Sequence, residues 1–196
     1  MSNRKGLLLT IIVIIVGLSI TASSYAFWSW AGNNVWSTTS LKTYLNGTFY
    51  NSLTTEAKSM IAAYPFNVGG CTSLAIKVTD AVTCTTSLTD SGIVGLTDIV
   101  DYGKVASTAG CRNGTTNLSA TTYRTNNWLY LSSEWTITPV SSGTTSAIRK
   151  TTSTSGVGTT VTTNGSIRPT MYLIEDVYII GGTGTQTDPY VVKLLT

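Results

Sequence analysis

The sequence predicts an α+β domain: two short N-terminal helices, then a β-rich half that carries tryptophans. Three observations predict it. Apolar residues recur at helical spacing only early in the chain, in Leu41, Tyr44 and Leu45 and again in Ala57, Met60, Ile61 and Tyr64. From Trp128 to Val192, β-prone runs alternate with Gly, Thr and Asn turns. The heavy load of Thr, Ser, Gly and Asn favours strands and turns over long helices.

The first element is not part of that domain. Arg4 and Lys5 precede an uncharged apolar run, Gly6 to Ile20, and Ser24-Tyr25-Ala26 sets small residues at −3 and −1 of a cut after Ala26. This is the pattern of a secretory signal peptide. Fifteen helical residues span roughly 22 Å, short of a hydrocarbon core of roughly 30 Å. With Thr21 and Ala22 added, residues 6–22 also suit an uncleaved membrane anchor. A pilin-type leader is the third reading, although Ile11 stands where such leaders carry glutamate. Each reading exports the bulk of the chain, with Arg4 and Lys5 left inside. The expected organisation is residues 1–26 as signal peptide or anchor and 27–196 as one exported domain. Phe27-Trp28-Ser29-Trp30 then reads as an edge strand, or as an interfacial belt if the anchor stays.

Charge excludes some functions. The 196 residues hold 12 Lys+Arg and 9 Asp+Glu, and without Arg4 and Lys5 the balance is 10 against 9. That is no footprint for nucleic acid. There is no histidine, so Ser-His-Asp and Cys-His catalysis are excluded within this chain. No paired-carboxylate motif, cofactor motif or metal-ligand spacing replaces it. The expectation is a protein without catalytic activity and without a cofactor.

The two helices come next. Ser40 is placed as cap of the first, which Asn46-Gly47 ends. Thr54 caps the second, Glu56 suits its dipole, and Pro65 stops it. Cys71 and Cys84 bracket the alternating run Leu74 to Val78. In an exported chain they read as a disulfide, or else as two reduced thiols. Cys111 is left to pair with either, to pair between chains, or to stay free. Ile93 to Gly103 reads as a buried strand running into a turn or short helix. Asp98 and Asp101 there invite a calcium reading, but no DxDxDG loop exists, and a cap or turn role is the plainer one.

In the β-rich half, Trp128 with Tyr130 and Trp135 with Ile137 have period-two spacing, so each pair faces one side of a strand. Pro139 ends the second strand or marks an edge. Ser141 to Asn164 reads as one or two short strands with exposed loops, or as a disordered tract. Met171 to Ile180 is apolar on both faces, which predicts a central segment, with Glu175-Asp176 as a break that can make a turn. Gly181 to Asp188 turns the chain into a final strand, Tyr190 to Leu195. Arg168 reads as a packed arginine whose head meets a carboxylate or carbonyls, or as a ligand contact together with Trp128 and Trp135.

Several runs are similar to exported domains of unknown function from Gram-positive Firmicutes. They are Trp36 to Leu53, Val94-Gly95-Leu96 with Asp101-Tyr102-Gly103, Asn127 to Tyr130 with Glu134 to Pro139, and Ile167-Arg168-Pro169 to Asp188-Pro189-Tyr190. The resemblance covers Trp36 to Val192. It implies no activity. Its layout looks C-type-lectin-like, an analogy of fold that supplies no function. Relatives often carry a further cysteine before the Trp-Leu-Tyr motif. This chain has none there, so the resemblance implies no disulfide at Cys111. Ser24 to Phe27 also resembles the start of biofilm-fibre subunits. The expected function is a cell-surface binding or adhesion module of a Gram-positive bacterium, with an extracellular glycan or protein as partner. A structural subunit of a surface fibre or pilus-like assembly is the alternative, and an extracellular enzyme the third reading.

Overall fold

A computed structural model describes residues 34–195 except 74, 126, 131–132, 141–146, 151–156, 160–164 and 186; for 147–150 and 157–159 it describes the backbone alone. The leader readings and Phe27–Trp30 lie outside the described residues. The α+β class holds: short helices are interleaved with small antiparallel sheets.

Helix α1 (Ser40–Tyr44) is capped by Thr39 rather than Ser40, because the Thr39 hydroxyl accepts from the Lys42 amide at 3.1 Å. It does not end at Asn46-Gly47. The chain continues through a π-helical turn, Leu45–Phe49, into α2 (Tyr50–Ser52). Asn46 turns inward instead of capping. Its Oδ1 accepts from the amides of Ile93 (2.8 Å) and Val94 (3.0 Å), and its Nδ2 donates to Val94 O at 2.8 Å.

Helix α3 (Thr55–Ser59) is capped by Thr54 as expected, with Ala57 N donating to Thr54 Oγ1 at 3.1 Å. It stops earlier than the periodicity predicts. Ile61 and Tyr64 lie in strands β1 (Ile61–Ala62) and β2 (Tyr64–Asn67). Long-range pairing overrides local spacing: Ile61 is opposite Leu173, and Pro65 is opposite Ser91 in β3 (Thr89–Gly92). Between β2 and β3 lies α4 (Val78–Thr85), which begins at the last residue of the alternating run.

Strand β4 (Gly95–Leu96) leads into α5 (Ile99–Lys104), and α6 (Ala109–Arg112) follows. Trp128 and Tyr130 are not on a strand. Asn127 holds this segment in a turn, accepting from Leu129 N at 3.0 Å and donating to the carbonyls of Tyr102 and Tyr123.

Strand β5 (Trp135–Pro139) ends at its proline, and all five residues are buried. Strands β6 (Ala147–Lys150) and β7 (Val157–Thr159) complete its three-stranded sheet, which answers the strand reading of that tract. Strand β8 (Pro169–Thr170) pairs with β4, and β9 (Tyr172–Leu173) with β1. After a turn at Glu175-Asp176 come β10 (Val177–Gly181) and β11 (Val191–Leu194). The expectation of a central segment fails here. These two strands pair only with each other among the described residues, and they leave Tyr178, Ile179 and Ile180 exposed.

The apolar side chains form two cores. One gathers Trp36, Leu41, Leu45, Phe66, Leu96, Trp135, Ile137 and Met171. The other gathers Val78, Ile99, Tyr102, Cys111, Leu118, Tyr123 and Leu129. The segment Leu96–Ile99 passes from the first core to the second. Cys71 and Cys84 form a disulfide that ties the loop before α4 to its last turn. Cys111 is a buried free thiol in the second core.

Candidate binding cleft

Where the two cores meet, a cleft of about 260 Å³ opens between β2, α4, α5 and the β8–β9 segment. Asn67 comes from β2, Thr85 and Thr86 from the end of α4, Asp98, Asp101 and Lys104 from α5, and Thr170 and Tyr172 from the C-terminal strands. Phe66, Val82, Leu96 and Ile137 supply apolar wall.

The cap of α5 fixes the cleft's chemistry. Asp98 Oδ1 accepts from Val100 N at 2.8 Å, which satisfies an amide that the first helical turn leaves without an intrahelical partner. Thr138 ties the same cap to β5. Its hydroxyl accepts from Ile99 N at 3.2 Å and donates to Asp98 Oδ1 at 3.3 Å. Burial pushes the Asp98 carboxyl up to about 7, and the neighbouring Asp101 adds to the rise. The hydrogen bonds from Val100, Thr138 and Thr85 oppose it. Asp101 is also raised by burial, against the pull of Lys104.

At the opposite wall Tyr172 sits in an aromatic group, its ring 4.5 Å from Tyr64 and 5.1 Å from Phe66, both tilted. Burial raises its phenol to about 12, so it stays protonated and can donate. The cleft therefore offers a ring, hydroxyls, an amide, two buried carboxyl groups and an amine within one small volume.

The residues expected to meet a ligand lie elsewhere. Trp135 is fully buried in the first core, and its indole presents no face to solvent. Trp128 is partly buried against the second core. Arg168 Nη2 meets Glu134 Oε2 at 3.1 Å, as the packed-arginine reading expects. None of the three lines the cleft. Asp98 caps a helix, the plainer of its two readings, and no group of three or more His, Cys, Asp or Glu side chains suited to a metal occurs among the described residues. Lys104, Tyr172 and Asn67 carry no sequence signal of their own. The spacing Asp98, Asp101, Lys104 does: at i, i+3, i+6 on a short helix these groups share a face.

The described chain is thus a mixed α+β domain with one disulfide and a polar, aromatic-walled cleft at the junction of its cores. Residues 3–174 match the family described as Domain of unknown function (DUF6273), and the chain belongs to that family. No curated protein and no solved structure matches it. The β10–β11 ribbon lies beyond the family match. Among the described residues no helix is long and apolar enough to cross a membrane.

Proposed function

We propose that this chain is a non-catalytic binding module of a Gram-positive cell surface. It is exported by residues 1–26, either cleaved or kept as an anchor, and residues 27–196 form the outer domain. The Firmicutes resemblance and the C-type-lectin-like layout belong to this proposal. The observation that carries it is the cleft. It joins the Tyr172 ring to converging hydrogen-bonding groups, a combination found in ligand sites.

The favoured ligand is an extracellular glycan, entered as a single sugar unit. A sugar presents an apolar face to a ring and hydroxyls to mixed donors and acceptors. Asp101 and Lys104 bring opposite formal charges into the same small cleft, which favours a neutral ligand over an ion. Asp98 is held by Val100, Thr138 and Thr85, so it serves as a fixed donor or acceptor and not as a reacting acid.

NMR titration of the full chain with a panel of neutral monosaccharides and short peptides tests the reading. Shifts clustered on α5 and Tyr172, lost in Tyr172→Ala and in Asp101→Asn, are expected. Binding centred on Trp128 and Arg168, or no binding by any of the panel, overturns the cleft as the site.

A further inference from the structure

The ribbon β10–β11 carries six of the ten large apolar side chains exposed among the described residues: Tyr178, Ile179, Ile180, Tyr190, Val191 and Leu195. Cross-strand partners share a face of a sheet. The pairs Tyr178 with Lys193 and Gly181 with Val191 therefore put Tyr178, Val191 and Lys193 on one face, which Leu195 extends by the alternation of the strand. Ile180, in the β-bulge between Ile179 and Gly181, is the most exposed of the six at 61%. Exposed Tyr178, Val191 and Leu195 on one face, with Ile180 beside them, are apolar side chains gathered in the way that marks an association surface on a soluble domain.

We propose that a second copy of this chain covers that face, ribbon against ribbon. This inference does not depend on the cleft. Three observations select the occupant. A two-stranded ribbon is marginal by itself and needs further strands or a packed face, and no third strand joins it among the described residues. An identical ribbon supplies what each lacks. The turn between the strands, Gly182 to Asp188, is made of Gly, Thr and Asp apart from Gln186, so it is polar at the tip. The apolar residues lie along the strands, which suits lateral packing and not tip-first entry into lipid.

The third observation is charge. Lys193 is the only charged residue in the two strands, and Asp188 lies just before β11. When two ribbons lie antiparallel with Val191 at the two-fold, Lys193 of each stands opposite Pro189 of the other, beside Asp188. The pairing is isologous and closes at two copies.

The test is oxidative cross-linking of the full chain carrying Ile180→Cys, across a dilution series, with Leu88→Cys as control. Leu88 is 55% exposed and lies outside the ribbon, and Cys111 is buried. The proposal expects covalent dimer from Ile180→Cys about tenfold faster than from Leu88→Cys, because a specific contact raises the effective concentration. It also expects Lys193→Glu in the Ile180→Cys background to slow cross-linking severalfold, and Asp188→Lys added to it to restore the rate. Circular dichroism melts confirm that each variant folds. Equal rates at positions 180 and 88 overturn the proposal, since they mean association through the apolar N-terminal run or random collision. So does a monomer at every concentration, and so does a charge swap without effect.

Discussion

Glu134 is wholly buried, and its Oε2 lies 3.1 Å from Nη2 of Arg168, which is one-fifth exposed. The two sit on neighbouring segments joined by the parallel bridge between Glu134 and Ser166. A carboxylate taken fully out of water costs several kcal/mol unless a cation and hydrogen bonds compensate it. Arg168 is therefore held by the fold's need for a partner to Glu134. Replacing Arg168 with Ala removes that cation, and the expected loss is about 3 kcal/mol in urea unfolding. The double variant Arg168→Met with Glu134→Leu, which keeps volume without charge, is expected to recover most of it. A single Arg168→Ala variant as stable as the parent would show that the pair is ornamental.

Asp98 makes stability depend on pH. Its native carboxyl titrates near 7, against 3.8 in the unfolded chain. The native state therefore holds a proton that the unfolded state releases, and stability falls as pH rises between about 4 and 7, then levels off. The groups facing it are Asp101 and Lys104 on α5, Thr85 on α4, Thr138 on β5 and Tyr172 on β9. Of these, Asp101 is also raised and acts in the same direction. Asp98→Asn keeps a capping side chain and never ionises. Its unfolding free energy is expected to lose most of this slope, and to exceed the parent's at pH 8. Guanidine titrations at pH 4, 6 and 8 measure both. Parallel slopes in parent and variant would place the effect elsewhere.

Local chemistry was legible in the sequence where it was decided locally. Thr54 as a cap, Asp98 as a cap, Pro139 as a strand end and the turn at Glu175-Asp176 each follow from one or two residues. The Cys71–Cys84 bridge followed from spacing and from the expectation of export. What was not legible depended on partners far along the chain. Ile61 fits a helix by periodicity but pairs with Leu173, and Asn46 fits a helix end but binds a segment 47 residues away. Trp128 and Tyr130 alternate like a strand, yet Asn127 bends them into a turn. The cleft was half legible. Asp98 and Asp101 stood out as neighbouring acids at a cap or turn, while Tyr172 and Asn67 reach them only through strand pairings with β1 and β3. The ribbon was misread because apolar residues on both faces imply burial from every side, and among the described residues these strands have only each other.

The Cys71–Cys84 disulfide encloses α4, whose last turn forms one wall of the cleft. Its sequence separation of 13 corresponds to a loss of roughly 3 kcal/mol when the loop is opened. The double variant Cys71→Ser with Cys84→Ser is expected to melt several degrees lower than the parent. Amide exchange should rise first in Val78 to Thr85, ahead of the first core, because the helix loses its tether while Trp36, Leu41 and Ile137 keep their contacts. Hydrogen exchange read by mass spectrometry separates the two. Uniform acceleration across the chain would mean that α4 is not a separable unit.

Asn46 joins the first helical segment to the strand entering the cleft. It accepts from Ile93 N and Val94 N and donates to Val94 O and Lys42 O, the last at 3.1 Å. The neighbouring Lys42 adds a bond to Asp90, at 2.6 Å and part-buried. Removing the Asn46 amide leaves partly buried backbone groups of Ile93 and Val94 without their partner, at about 1–3 kcal/mol for each stranded group. Asn46→Ala is therefore expected to destabilise by about 3 kcal/mol overall, although alanine is the better helix former by propensity. Asn46→Asp keeps the acceptor for both amides but loses the donor to Val94 O, and is expected to fall between the two. Gly47 next to it has open space at its Cβ position, so Gly47→Ala should be neutral or stabilising, which rules out the helix-ending role for this dipeptide. Urea midpoints for the three variants decide the matter. A stable Asn46→Ala with a destabilised Gly47→Ala would restore the helix-end reading and remove Asn46 as the link between α1 and β4.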